Sequence, residues 1–144
     1  MLRIDGSAQE VFNNLTFRVE TPDGEMFVSV MEDKQEKICA IDIKIGKAGS
    51  SLGAWAHSFA RLITMAIEHG VTVEELITEL SSQTSDRLRL NNNGVNVRSG
   101  VEGVYVALTE YKRDKYQQLV KDLDFDSLKG PQLYGRRAKD RSKT

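Results

Sequence analysis

The sequence predicts an α+β fold, a three-stranded antiparallel sheet packed against two to three helices, and three observations carry that prediction. Residues Ile38–Ile45 alternate strictly: Cys39, Ile41, Ile43 and Ile45 take one face, Ala40, Asp42 and Lys44 the other, which is the period of a half-buried strand. From Leu52 the period changes, and Leu52, Trp55, Phe59, Leu62, Ile63, Ala66 and Ile67 recur at three- and four-residue steps, as on one broad helical stripe. Upstream, two further alternating runs flank Thr21-Pro22-Asp23-Gly24, where proline presets φ and glycine accepts positive φ.

Taken in order, residues 1–14 show no sustained period and form a lead-in. Leu15–Glu20 and Glu25–Glu32 read as a hairpin, and the polar turn Asp33–Lys37 leads to the third strand of a meander, one face of which is left for helices. Gly46-Lys47-Ala48-Gly49-Ser50-Ser51 joins that strand to the first helix and offers two candidate N-caps, Ser50 and Ser51. Gly70 ends the helix, preceded by His69 where the helix dipole favours a cation. Thr72 opens a second helix in a T-x-x-E capping box with Glu75, with Val71 and Leu76 as a hydrophobic staple, and Ser81–Asp86 ends it. Asn91-Asn92-Asn93-Gly94 is a turn signal. Val104, Leu108, Tyr111, Lys115 and Leu119 then mark a third helix from about Val101 to Leu123. One domain over 15–126 follows, with a basic, flexible tail over 127–144 that holds six Lys/Arg against one acid.

The segments GKAGS (46–50), ARLITMAIEHG (60–70), VTVEELITEL (71–80), TSD (84–86) and VRSGVEGVYVALTEY (97–111) keep an order and spacing that resembles the TSCPD domain. That domain is a module near the C-terminus of adenosylcobalamin-dependent ribonucleotide reductases and also occurs alone. The likeness covers roughly Phe17 to Tyr111. The Cys-Pro-Asp that names the family is missing, since Gly100, Val101 and Glu102 stand there. The resemblance implies an accessory or regulatory module, with a reductase subunit as partner.

Composition narrows the function. A chain of 144 residues is too short for a complete nucleotide reductase, and its net charge of −1 argues against nucleic acid and anionic membranes as global partners. The single cysteine, Cys39, allows no internal disulfide and suits a reducing compartment. No apolar stretch approaches the roughly 20 residues of a membrane span, so a soluble, cytoplasmic protein is expected. No zinc, cofactor or catalytic set is expected either: His57 and His69 stand apart from any acid or cysteine at ligand spacing, and Glu74-Glu75 is explained by helix capping. The chain reads as a binder, not an enzyme.

The main ligand candidates are Gly46, Lys47, Gly49, Ser50 and Ser51. Glycine amides, an ammonium and two hydroxyls at a helix N-terminus suit a phosphate or carboxylate, although the order is not that of a Walker A loop. The plain alternative is a capped strand-to-helix turn. Trp55 serves either a core or interface role or as a stacking platform, and Arg61 either as surface charge or as an anion clamp shared between subunits. Asn92 and Arg98, with Arg87 and Arg89, form a second polar cluster able to read a base or ribose edge, against the reading of a solvated Asn-Gly turn. The helix from Ser51 to His69 is apolar over more than one small sheet face needs, which predicts a homo-oligomer.

Three functions follow as expectations. One is a non-catalytic protein that captures a nucleotide-derived or phosphorylated small molecule as a sensor or sequestering sponge, similar in plan to small phage proteins that soak up cyclic ADP-ribose or cyclic-nucleotide immune signals. The others are a reductase accessory module and a structural interaction domain.

Overall fold

The computed structural model describes residues 10–81 and 97–129. Strands β1 (Asn13–Thr21), β2 (Gly24–Glu32) and β3 (Ile38–Ile45) form one antiparallel sheet in the order β1-β2-β3, and helices α1 (Ser51–Glu68), α2 (Val73–Ser81) and α3 (Gly100–Lys129) follow. This is the expected α+β architecture. The chain divides after Tyr111 into two compact units, and α3 crosses the division.

Local chemistry explains the turns. Only Pro22 and Asp23 lie between β1 and β2; the buried Thr21 hydroxyl donates to the Gly24 carbonyl at 2.8 Å and accepts from the Asp23 amide at 3.2 Å, and Gly24 sits at φ 128°. Between β2 and β3 the Asp33 carboxylate accepts from the amides of Gln35 and Lys37, at 2.9 and 3.0 Å. The resulting register aligns Phe17 with Val28 and Val28 with Ile43, so alternate residues of all three strands face the helices. One irregularity interrupts it: Met31 pairs with Ala40 but Glu32 with Ile38, which leaves Cys39, buried as expected, in a bulge.

Val19, Met26, Val28, Val30, Ile41, Ile43 and Ile45 of the sheet meet Ala60 and Ile63 of α1, Leu80 of α2 and Val104, Ala107, Leu108 and Tyr111 of α3 in one core. α1 begins at the Ser50 cap, whose hydroxyl accepts from the Gly53 amide at 3.0 Å. It ends with the Val71 amide on the Ala66 carbonyl and the Gly70 amide on that of Ile67, with Gly70 at φ 93°, a Schellman arrangement. The His69 ring adds a contact of 2.9 Å to the Met65 carbonyl. At α2 the expected capping box is reciprocal: Glu75 N–H to the Thr72 hydroxyl at 3.1 Å, Thr72 N–H to the Glu75 carboxylate at 3.4 Å. α3 runs six residues past the expected end at Leu123. The remainder of the expected tail, 130–144, and the Ser82–Asp86 helix end lie outside the described residues.

β3 is an edge strand, and α1 protects it with a side chain. The buried Thr64 hydroxyl accepts from Ile41 N–H at 3.0 Å and donates to Ile41 C=O at 3.2 Å, standing in for a missing neighbouring strand. Thr64→Val keeps the shape and leaves both backbone groups without a partner. Urea unfolding is expected to show a loss of about 2 kcal/mol, and an unchanged midpoint would mean that water replaces the hydroxyl.

Candidate functional site

β3 passes into α1 through a turn that glycine makes possible. Gly46 and Gly49 stand at φ 72° and 79°, where a side chain is strained, and the Ser50 amide bonds the Lys47 carbonyl at 3.0 Å to close the loop. The turn folds back on the helix start: a Cβ at Gly53 would lie 3.2 Å from both the Lys47 carbonyl oxygen and the Ser50 hydroxyl. Ser50 satisfies Gly53, and the Ala54 amide opens the helical ladder on the Ser50 carbonyl. That leaves Ser51 and Leu52 among the N–H groups for which a helix start has no internal acceptor. Gly46, Lys47, Gly49 and Ser51 are exposed and Ser50 half-buried, so this end of α1 is open.

Beside the turn lies a cleft of about 310 Å³. Met26, Ile43 and Ile45 form its floor, Leu52, Trp55, Ala56 and Phe59 of α1 one wall, and Ser99, Gly100, Val101 and Val104 at the start of α3 the other, with Asp23 from the β1–β2 turn also lining it. The walls are therefore the first turns of two helices, both of which place positive partial charge near a mainly apolar slot. α3 starts as sharply as α1. The Ser99 hydroxyl accepts from the Glu102 amide at 3.1 Å, and the Glu102 carboxylate accepts from the Arg98 amide at 2.9 Å.

The expected site residues are only partly gathered. Trp55 lines the cleft and is 76% exposed. Of the loop and helix start, Leu52 reaches the cleft wall, whereas Gly46, Lys47, Gly49, Ser50 and Ser51 stand beside it. Arg61 lies in a separate hollow along α1, of about 490 Å³, with His57, Ser58, Leu62 and Glu68. Arg98, next in sequence to the cleft residue Ser99, grips Glu102 through Nε and Nη2, both at 3.1 Å. These hydrogen bonds raise the Arg98 pKa and hold the Glu102 carboxyl below the usual carboxylate range, against the opposing effect of burial. Asn92, Arg87 and Arg89 lie outside the described residues. Trp55 apart, none of the lining residues is among those expected from the sequence. The S-x-x-E pattern at Ser99–Glu102 was a signal for the second helix start. Among the described residues no cluster of His, Cys, Asp and Glu is suited to hold a metal, and no helix is long and apolar enough to cross a membrane.

The family model of the TSCPD domain matches residues 5–112. The chain belongs to the TSCPD domain family. No curated protein and no solved structure matches the chain. The matched span of this TSCPD domain ends one residue beyond Tyr111, where the first compact unit ends, so most of the second half of α3 lies outside it.

Proposed function

We propose that this TSCPD domain is a non-catalytic, cytoplasmic binding protein that captures a nucleotide-like small molecule. The observation that carries the reading is the apolar cleft set between the first turns of α1 and α3, with an exposed tryptophan in its wall. A flat base stacks against such a wall, and a phosphate suits the amides, Lys47 ammonium and serine hydroxyls at the start of α1. In this reading the ligand is held and released unchanged, as a sensor or a sequestering sponge requires; counter-defence by a phage against cyclic ADP-ribose or cyclic-nucleotide signals is the setting that such a sponge fits. Trp55, Leu62 and Met65 form an exposed apolar stripe on α1, which favours a homo-oligomer.

The chain has one tryptophan, so fluorescence reports on the cleft directly. Titration with a panel of mononucleotides, dinucleotides and cyclic nucleotides is expected to change Trp55 emission saturably for at least one member. Lys47→Ala is expected to weaken that binding about tenfold, the equivalent of ~1.4 kcal/mol. No saturable change for any member overturns the reading. Family membership supports a second one, an accessory module of ribonucleotide reductase. Capture of a reductase subunit by a chain that binds no nucleotide favours it.

A further inference from the structure

The second half of α3 is a helix with an apolar seam and a charge order that selects its partner. Over residues 112–123 every position except Lys115 and Val120 is exposed. Tyr116, Leu119 and Leu123 are 67%, 56% and 59% exposed, and steps of three and four residues place them on one stripe, with Val120 at its flank. A single exposed apolar side chain needs no explanation; three in register on an otherwise polar helix do.

The charges are segregated along the same segment. Residues 112–118 carry three cations, Lys112, Arg113 and Lys115, against the one acid Asp114, whereas residues 119–126 carry three acids, Asp122, Asp124 and Asp126, against the one cation Lys121. Acids toward the C-terminal end run against the helix dipole. A parallel partner of the same sequence would set like charges side by side, while an antiparallel one sets the basic half against the acidic half twice over.

We propose that the second half of α3 pairs with the same segment of a second copy, antiparallel about a two-fold axis near Leu119. Leu119 then meets its own copy, and Tyr116 lies near the second copy's Leu123. The segment is outside the span matched by the TSCPD family, so this contact is an addition to the domain and independent of the cleft. With the axis at Leu119 the paired stretch runs from Lys112 to Asp126, about 22 Å. A pair of that length falls short of the roughly 800 Å² per partner of a standard interface, so the dimer is reversible and concentration-dependent.

Sedimentation of the full chain across the micromolar range is expected to show a monomer–dimer equilibrium that high salt weakens. Leu119→Glu is expected to raise the dissociation constant about 100-fold or more, while Gln118→Ala, on the opposite face of the same helix, leaves it unchanged. Mild oxidation tests the direction. Leu119→Cys gives a symmetric disulfide in high yield; Tyr116→Cys and Leu123→Cys each cross-link poorly alone and well when mixed, because only the mixture brings two sulfurs within bonding range. A monomer at every concentration, a dimer indifferent to Leu119→Glu, or efficient self-linking of Tyr116→Cys overturns the proposal, and none of these results bears on nucleotide binding.

Discussion

Gly103→Leu is expected to cost about 3 kcal/mol or more, near the upper end of what overpacking does to a close-packed core. α3 crosses β1 and β2 so closely at this point that even a Cβ would stand 2.6 Å from Met26 Cε, 3.0 Å from Thr21 Cγ2 and 3.5 Å from Val19 Cγ1. Thr21 and Val19 are buried and β-branched and cannot withdraw, whereas the Met26 methyl, the end of a flexible chain on the cleft floor, can give way for one carbon but not for four. Gly103→Ala therefore sets two effects against each other: a helix-propensity gain of about 1 kcal/mol and the displacement of the Met26 methyl. Leucine gains nearly the same propensity but adds three more carbons to the same space, so overpacking dominates. For a domain of this size about 3 kcal/mol lowers the unfolding temperature by roughly 10–13 °C, which circular dichroism measures directly. Gly49→Ala is the control. Its Cβ would meet nothing within 4 Å, so its cost is only that of forcing alanine into φ 79°, about 1–2 kcal/mol. If Gly103→Leu melts with the wild type, α3 does not approach the sheet as closely as the structure describes.

The contrast between these glycines marks what the sequence discloses. Gly24, Gly46, Gly49 and Gly70 punctuate element ends, and their neighbours announce it: a proline-aspartate pair, a strand period breaking off, a helical stripe reaching its close. Such signals are local, and for the same reason the hairpin, the Ser50 cap and the Thr72–Glu75 box were legible to within a residue or two. Gly103 is silent, because its reason lies 82 residues away at Thr21 and 77 away at Met26. The cleft is silent in the same manner: Ile43, Ile45 and Phe59 carry the same periodicity whether they fill a core or line a slot. Trp55 and Arg61 are both ligand candidates on α1. Six residues at about 100° each, however, turn them roughly 120° apart, which sends them to different hollows. The length of α3 was underestimated because the apolar period stops at Leu123, whereas Asp124–Lys129 continues the helix without it. Arg98 was legible as a residue but not as a clamp already closed on Glu102.

Glu32→Ala is the second large effect expected, about 3–5 kcal/mol, and it tests a part of the core that hydrophobicity conceals. Alternation along β2 puts Glu32 on the same face as Met26, Val28 and Val30, and there it is completely buried. It is accommodated by donors: Asn13 Nδ2 at 3.1 Å and the Tyr111 hydroxyl, whose ring also meets Phe17 edge-on at 6.4 Å between centroids. Alanine leaves the buried Tyr111 hydroxyl without this acceptor, at about 1–3 kcal/mol, and opens a void besides, whereas the exposed Asn13 amide turns to water. Tyr111→Phe alone removes one donor and is expected to cost about 1–2 kcal/mol. In the Glu32→Ala background the same change is expected to cost less, since the hydroxyl no longer has Glu32 to donate to, so the double-mutant cycle returns a coupling of about 1–2 kcal/mol. Alkaline unfolding supplies an independent readout. Burial first, then the hydrogen bond to Glu32 and the charges of Glu32 and Glu36, raise the Tyr111 pKa well above the ordinary phenol value. A group whose pKa is raised on folding lends its stability below the unfolded-state value, about 10, and loses it as pH climbs beyond. Wild-type stability is therefore expected to fall above about pH 10, and Tyr111→Phe to flatten that fall. Additive single mutants together with unchanged alkaline slopes would show that Glu32 and Tyr111 are merely adjacent, with the phenol held by packing alone.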